Sequence, residues 1–347
     1  MYRPQIAVVD SGVDQKNREI MQHVVQGFSF TQDTRKNIIV ESDDYDDTFG
    51  HGTNCIDCIL QLAELAQFYP IRIVNKSGKT TSELLLEALG KCKDLSVDII
   101  CLSLSVTRLL DPMIDHELEK VCRELEAQGK LICASECNNI KNTIPAVYGS
   151  VIGVGELPYN AEKKIIVDRN KKIQVKADIL PIFVAGKRGR YNFFKGTSKS
   201  NAYIAGILAR AMQVENGLDS VEKALEILEN VEETPENLET QNVGMLQTDE
   251  LGQVVLEKIR NNLWKFGCDA SLDEICKYPF LSEVTGINFF NFYDFIKELY
   301  IDLKITEPDY HEIKIGDVCI LYNLVEYLKR KVRYEKKECG IGADKKI

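Results

Sequence analysis

With 347 residues, of which 44% are hydrophobic and 28% charged, the chain can build one large domain plus a small one, and its composition is that of a globular protein. The net charge of -10, spread along the chain, excludes a non-specific nucleic-acid binder, which needs clustered Lys and Arg to neutralise phosphates. No apolar run reaches the roughly 20 residues that span a bilayer, and no signal peptide precedes the short apolar stretch cut off by Asp10.

The first element is a buried strand, Ile6-Ala7-Val8-Val9, β-branched and abruptly ended by polar residues. The patterning then predicts a helix over 53–65, a strand over 69–74, a helix over 82–92, a strand over 98–104, a helix over 115–128 and a strand over 130–134. Strands over 151–154 and 182–184 follow, then a long helix over 198–215. That alternation predicts an α/β fold, a parallel sheet with helices on both faces. A further amphipathic helix covers 220–228. The polar, aperiodic stretch 231–247 is a linker between a first domain (1–230) and a small all-α domain (248–333), with helices over 249–263, 291–303 and 316–330. Residues 334–347 are expected to form a flexible tail. The odd count of 11 cysteines, several inside apolar runs (Cys101, Cys133, Cys319), reads as free thiols in a reducing, cytoplasmic compartment.

Three short signals sit at element ends. Val8-Val9-Asp10-Ser11-Gly12 ends a strand with a carboxylate, His51-Gly52-Thr53 opens a helix, and Gly196-Thr197-Ser198 opens the long apolar helix. Each alone has a bland reading as a turn or a helix cap. Together they are the set that acyl transfer requires: a serine hydroxyl is a weak nucleophile until a base takes its proton, and the base needs a carboxylate to fix its tautomer. The order Asp10, His51, Ser198 is also that of one known triad type.

These three stretches, with Ala205-Gly206 following the third, resemble the signatures of the subtilase family over about residues 4–230. The resemblance implies a subtilisin-like fold and a serine endopeptidase, with Ser198 as nucleophile, His51 as base and Asp10 as its orienting carboxylate. It implies Asn138 as the oxyanion donor, with Asn139 the neighbouring alternative. It also implies substrate contacts from Gly78, Lys79 and Thr80 as an edge strand, and from Ser103, Leu104 and Ser105 beside the cleft. Two departures stand out. Glu136-Cys137 precedes Asn138 where the family has glycine before the asparagine, and Ser198-Lys199-Ser200-Asn201-Ala202 lacks the family's proline. Secreted members carry a folding propeptide, whereas this chain reaches its first strand within a few residues of Met1. It is expected to fold unaided or in response to a partner.

Cys55-Ile56-Asp57-Cys58 lacks the second ligand pair of a zinc site and reads as core packing. Gly78-Lys79-Thr80 is like the end of a phosphate loop, but Ile73 stands where the earlier glycine is needed. The acidic run Glu41-Ser42-Asp43-Asp44-Tyr45-Asp46-Asp47 could take calcium, yet it lacks the alternating spacing of a calcium loop and reads as a solvated loop. No cofactor is expected. The C-terminal segment resembles an acyl carrier protein-like domain, with Thr285-Gly286-Ile287-Asn288-Phe289-Phe290 heading its second helix. Phe289 follows Asn288 where a carrier has the modifiable serine, so no phosphopantetheine can be attached. The expected partners are a peptide or protein substrate, such as a precursor peptide with a leader, and a docking partner for the C-terminal domain. Neither nucleic acid nor membrane is expected. The alternative to a maturation protease is an inactive relative that binds peptides as a scaffold in a biosynthetic complex.

Overall fold

The computed structural model describes residues 1–347 apart from 34–35, 37, 107–110, 139, 158–160, 215–217, 233–247, 307–308 and 339–347. The chain divides into two compact units, one of residues 1–190 and 194–235 and the other of residues 191–193 and 236–347. Of the expected linker and tail, 233–247 and 339–347 lie outside the described residues.

In chain order the first unit contains β1 (Gln5–Asp10), α1 (Arg18–Met21), β2 (Phe28–Asp33), β3 (Ile38–Ser42), α2 (His51–Leu60), β4 (Gln67–Arg72), α3 (Ser82–Cys92), β5 (Ile99–Leu102), α4 (Pro112–Ala127), β6 (Leu131–Ser135) and β7 (Ile152–Leu157). There follow β8 (Ile165–Val167), β9 (Val175–Asp178), the short β10 (Ile182–Ala185), α5 (Thr197–Val214) and α6 (Val221–Glu229); β11 (Tyr191–Phe194) belongs, except for Phe194, to the second unit. Nine strands form one sheet in the order β3-β2-β4-β1-β5-β6-β7-β9-β8. Only the outer pairs β2–β3 and β8–β9 are antiparallel. Helices α3 and α4 bury Leu85, Leu89, Cys122 and Leu125 against Val9, Ile100 and Ile132 on one face. On the other face α2 packs against α5, and α5 against β5, β6 and β7.

The α/β expectation therefore holds for the first unit, with local corrections. Strands β2 and β3 escaped the sequence reading because β2 buries only Phe28, Ser29 and Phe30 before turning polar, and β3 is exposed almost throughout, Ile38 and Val40 included. Helix α2 begins two residues earlier than expected, at His51. Asp47 explains this: its Oδ1 accepts the Phe49 and Gly50 N–H groups, and its Oδ2 accepts the Thr53 N–H and hydroxyl. A carboxylate at a helix start takes up donors that have no intrahelical partner.

Helix α5 is anchored by an unusual pair. The Lys199 ammonium, with a side chain 2% exposed, lies 3.1 Å from Asp178 Oδ2 and donates to the Asp178 carbonyl at 3.0 Å. Ser200 Oγ adds bonds to the Ala177 and Asp178 carbonyls.

The second unit contains α7 (Glu250–Lys265), α8 (Leu272–Ile275), α9 (Phe292–Asp302), α10 (Ile315–Val318) and α11 (Leu321–Glu338). Phe266, Phe280, Phe292 and Phe295 form its aromatic core. The single closing helix expected over 316–330 is instead broken, because the Cys319 carbonyl turns to accept the Phe280 N–H at 2.8 Å. The helix also continues to Glu338, into the stretch expected to be flexible, since no glycine or proline interrupts it before Gly340. No helix among the described residues is long and apolar enough to cross a membrane.

Removing one partner of a buried pair leaves an uncompensated charge. Lys199→Met is thus expected to cost about 3–5 kcal/mol, measured by denaturant unfolding. A loss below about 1 kcal/mol, the size of an exposed pair, would show that Asp178 does not depend on Lys199.

Candidate active site

The site is built where strand β1 ends against the start of helix α2. Asp10, at the end of β1, is 2% exposed. Both of its carboxylate oxygens lie 2.9 Å from His51 Nδ1, and Oδ1 also accepts the Ser11 N–H at 2.7 Å. The helix can come this close because residue 52 is glycine: a Cβ there would lie 2.3 Å from the Gly12 carbonyl oxygen. Ser11 Oγ seals the junction by accepting the Gly52 N–H at 2.9 Å. With Nδ1 facing a carboxylate, Nδ1 carries a proton and the other ring nitrogen, Nε2, is the basic one.

Burial opposes a charge on His51 and is the largest influence on its pKa. The Asp10 charge, the Asp10 hydrogen bond and the more distant Asp47 charge together overcome it, so the pKa is raised above 6.5. The ring is near two aromatics, edge-on to Phe194 at 5.5 Å and tilted to Phe49 at 6.4 Å between centroids. Neither aromatic was singled out from the sequence. Each lies within four residues of a motif, which was the only signal available.

Ser198 lies in the first turn of α5, half-buried. Its Oγ donates a long bond of 3.4 Å to the Ser103 carbonyl. Asn138 lies beside the same turn. Its Oδ1 accepts the Thr197 N–H at 3.1 Å and the Thr197 hydroxyl at 3.0 Å. With Oδ1 engaged in this way, the Asn138 amide N–H groups remain as its side-chain donors. Gly196, with φ of +80°, permits the approach: a Cβ there would stand 3.0 Å from Asn138 Oδ1. The alternative donor, Asn139, lies outside the described residues.

The residues expected to meet substrate divide into two groups. Gly78, Lys79 and Thr80 do not form a strand, because Asn75 Oδ1 captures the Ser77 and Lys79 N–H groups and closes a turn. The Phe49 ring lies against Gly78, with Cζ 2.9 Å from where a Cβ would be. Ser103 is buried and its side chain is occupied. Its Oγ donates to the Ser198 carbonyl at 3.2 Å and accepts from Asn201 Nδ2 at 3.2 Å, so it supports the site from below. Leu104 and Ser105 are half-buried beyond it.

The acidic run also proves to be committed in part. Asp47 caps α2, and Asp44 pairs with Arg72 at 2.9 Å. Cys55 and Cys58 are both buried on α2, and burial pushes both thiols up, Cys58 to about 12. Asp10, His51 and Cys55 place ligand atoms within 4.8 Å of one another. The Asp10 oxygens are already engaged by His51 and Ser11.

The subtilase family (peptidase S8) matches residues 3–245. The chain belongs to the subtilase family. It is a subtilisin-like serine endopeptidase. Among curated relatives of this subtilase, an intracellular serine protease of Paenibacillus polymyxa is 25% identical over 61% of this chain and 67% of its own length. The major intracellular serine protease of Bacillus subtilis (strain 168) is 25% identical over 59% of this chain and 67% of its own. A solved cold adapted subtilisin-like serine proteinase shares the fold, with a TM-score of 0.52 and 21% identity over 65% of this chain and 80% of that one.

An imidazole whose pKa is higher in the folded than in the unfolded chain adds stability that is complete below the ordinary value of 6.5 and lost as pH rises through the folded value. A histidine NMR titration of the subtilase is expected to place the His51 midpoint above 6.5. Asp10→Asn should lower it by about one unit or more, since burial then acts with less opposition. An unchanged midpoint would mean that Asp10 does not control the ring.

Proposed function

We propose that Ser198 attacks the scissile carbonyl while His51 Nε2 takes its proton. Asp10 holds the imidazole in the productive tautomer and stabilises the imidazolium. Asn138 Nδ2 and the Ser198 backbone N–H receive the oxyanion. His51 then protonates the leaving amine, and a water activated by the same imidazole releases the acyl group. The observation that carries this reading is the 2.9 Å grip of both Asp10 oxygens on Nδ1, which leaves Nε2 as the free base.

The peptidase is proposed to work inside the cell. Support comes from the two relatives named as intracellular and from cysteines that stay free, Cys55, Cys58, Cys92, Cys101 and Cys133 among them, all buried. Its substrate is proposed to be a ribosomally made precursor peptide from which a leader is removed. The second unit is proposed as a carrier-like docking module without a prosthetic arm. Asn288 supports the latter reading: its Oδ1 accepts the Phe290 and Asn291 N–H groups in the turn before α9, and Phe289 offers no hydroxyl for attachment.

Fluorophosphonate is expected to label the wild-type chain and to leave Ser198→Ala unlabelled. Absence of labelling in a folded wild type would leave a latent peptide-binding chain and overturn the mechanism. Labelling should rise with pH along an acid limb with a midpoint above 6.5, where His51 loses its proton. Equal cleavage of unrelated unfolded proteins at many sites would rule out the maturation role.

A further inference from the structure

We propose that Glu136 is a positioning residue for Asn138, through a carboxylate that closes the loop carrying the oxyanion donor. The inference rests on the oxyanion reading of Asn138 given above. Glu136 follows directly on β6 and is 5% exposed, with its backbone N–H bonded to the Val154 carbonyl at 2.7 Å. A buried carboxylate is costly unless it is paired and hydrogen-bonded, and this one is both. Oε1 accepts the Asn142 N–H at 2.6 Å, and Oε2 accepts the Lys141 ammonium at 3.2 Å. The side chain therefore ties residue 136 to residues 141 and 142 across the base of the loop. A second tie runs alongside, from the Cys137 N–H to Thr143 Oγ1 at 3.0 Å. Asn142 completes the turn in the left-handed region, φ 56°, which asparagine tolerates better than most residues.

Asn138 projects from this closed loop and is itself exposed. Its oxygen is fixed by Thr197. Two anchors thus set where its amide N–H groups point: Thr197 from the helix side and Glu136 from the loop base. The second lies beside a departure from the subtilase pattern, since Cys137 stands where that pattern has glycine before the asparagine. An oxyanion donor acts only when held within about 2.7–3.1 Å of the charge that develops, and a shift of about 1 Å can cost on the order of 100-fold in rate. A loop opened at its base would allow such a shift without removing any reacting group.

The test uses the full chain, with saturable fluorophosphonate labelling as the probe, separating the maximal labelling rate from the half-saturating concentration. Asn138→Ala is expected to slow the maximal rate by about 100-fold or more. Glu136→Ala should slow it by roughly 10-fold or more, with half-saturation unchanged, because donor geometry matters to the transition state and not to probe binding. In the Asn138→Ala background, Glu136→Ala should slow labelling no further, a non-additivity that a general loss of structure would not produce. Glu136→Gln keeps an acceptor for Asn142 and should recover most of the rate.

The proposal is overturned if Glu136→Ala labels at the wild-type rate, if its loss multiplies that of Asn138→Ala, or if Glu136→Gln is as slow as Glu136→Ala. If Glu136→Ala does not fold, Thr143→Val takes its place in the same cycle, with the same expectation of a loss that vanishes in the Asn138→Ala background. Wild-type labelling by Asn138→Ala alone would overturn the oxyanion reading itself.

Discussion

The site depends on a carboxylate that has been taken out of water. Asp10 is nearly inaccessible, and an unpaired buried charge of that kind would neutralise itself or unfold the region around it. Strand β1 delivers it to the start of helix α2, where His51 Nδ1 and the Ser11 N–H meet its oxygens. That junction places strict demands on its neighbours. Residue 52 must lack a side chain, Ser11 must hold the Gly52 N–H, and Asp47 must satisfy the orphan donors of α2. The aromatic rings of Phe49 and Phe194 pack against the imidazole.

The Ser198 side of the site is stabilised differently. Lys199 points into the interior to meet Asp178, and Ser200 binds the end of β9, so the first turn of α5 is clamped from beneath. Above it, Thr197 holds Asn138. Where a proline follows the serine in the subtilase pattern, Ala202 continues a regular helix, and neighbouring Asn201 donates to Ser103 Oγ and the Cys133 carbonyl. A buried ion pair is seldom the most stabilising solution for a core position. Its value here is directional, because it fixes the rotation of the helix that presents Ser198.

The second unit has its own core of phenylalanines and a buried contact between the Tyr300 and Tyr327 hydroxyls. Its charges are mostly satisfied locally, as in the pairing of Arg330 with Asp317 and of Lys329 with Asp249 and Glu326. The subtilase match ends at residue 245, so this unit's role must be found from its own surface.

The sequence alone determined the parallel α/β organisation, because β-branched runs and 3.6-residue periodicity report which faces are buried without reference to distant residues. It also determined Asp10, His51 and Ser198 as candidates, because each falls at the end of an element whose boundary is locally encoded. Other features required the folded chain. Asp47 looks like part of a solvated acidic run until its oxygens are seen on the first turn of α2. Lys199 looks misplaced in an apolar helix until Asp178, 21 residues earlier, is brought beneath it. The break before α11 depends on the Phe280 N–H, and the orientation of Asn138 on Thr197 and the loop that Glu136 closes. For Lys199 with Asp178, Phe280 with Cys319 and Thr197 with Asn138, one polar group is satisfied by another far along the chain. Local pattern carries no record of such a pairing, and only chain closure in three dimensions decided it.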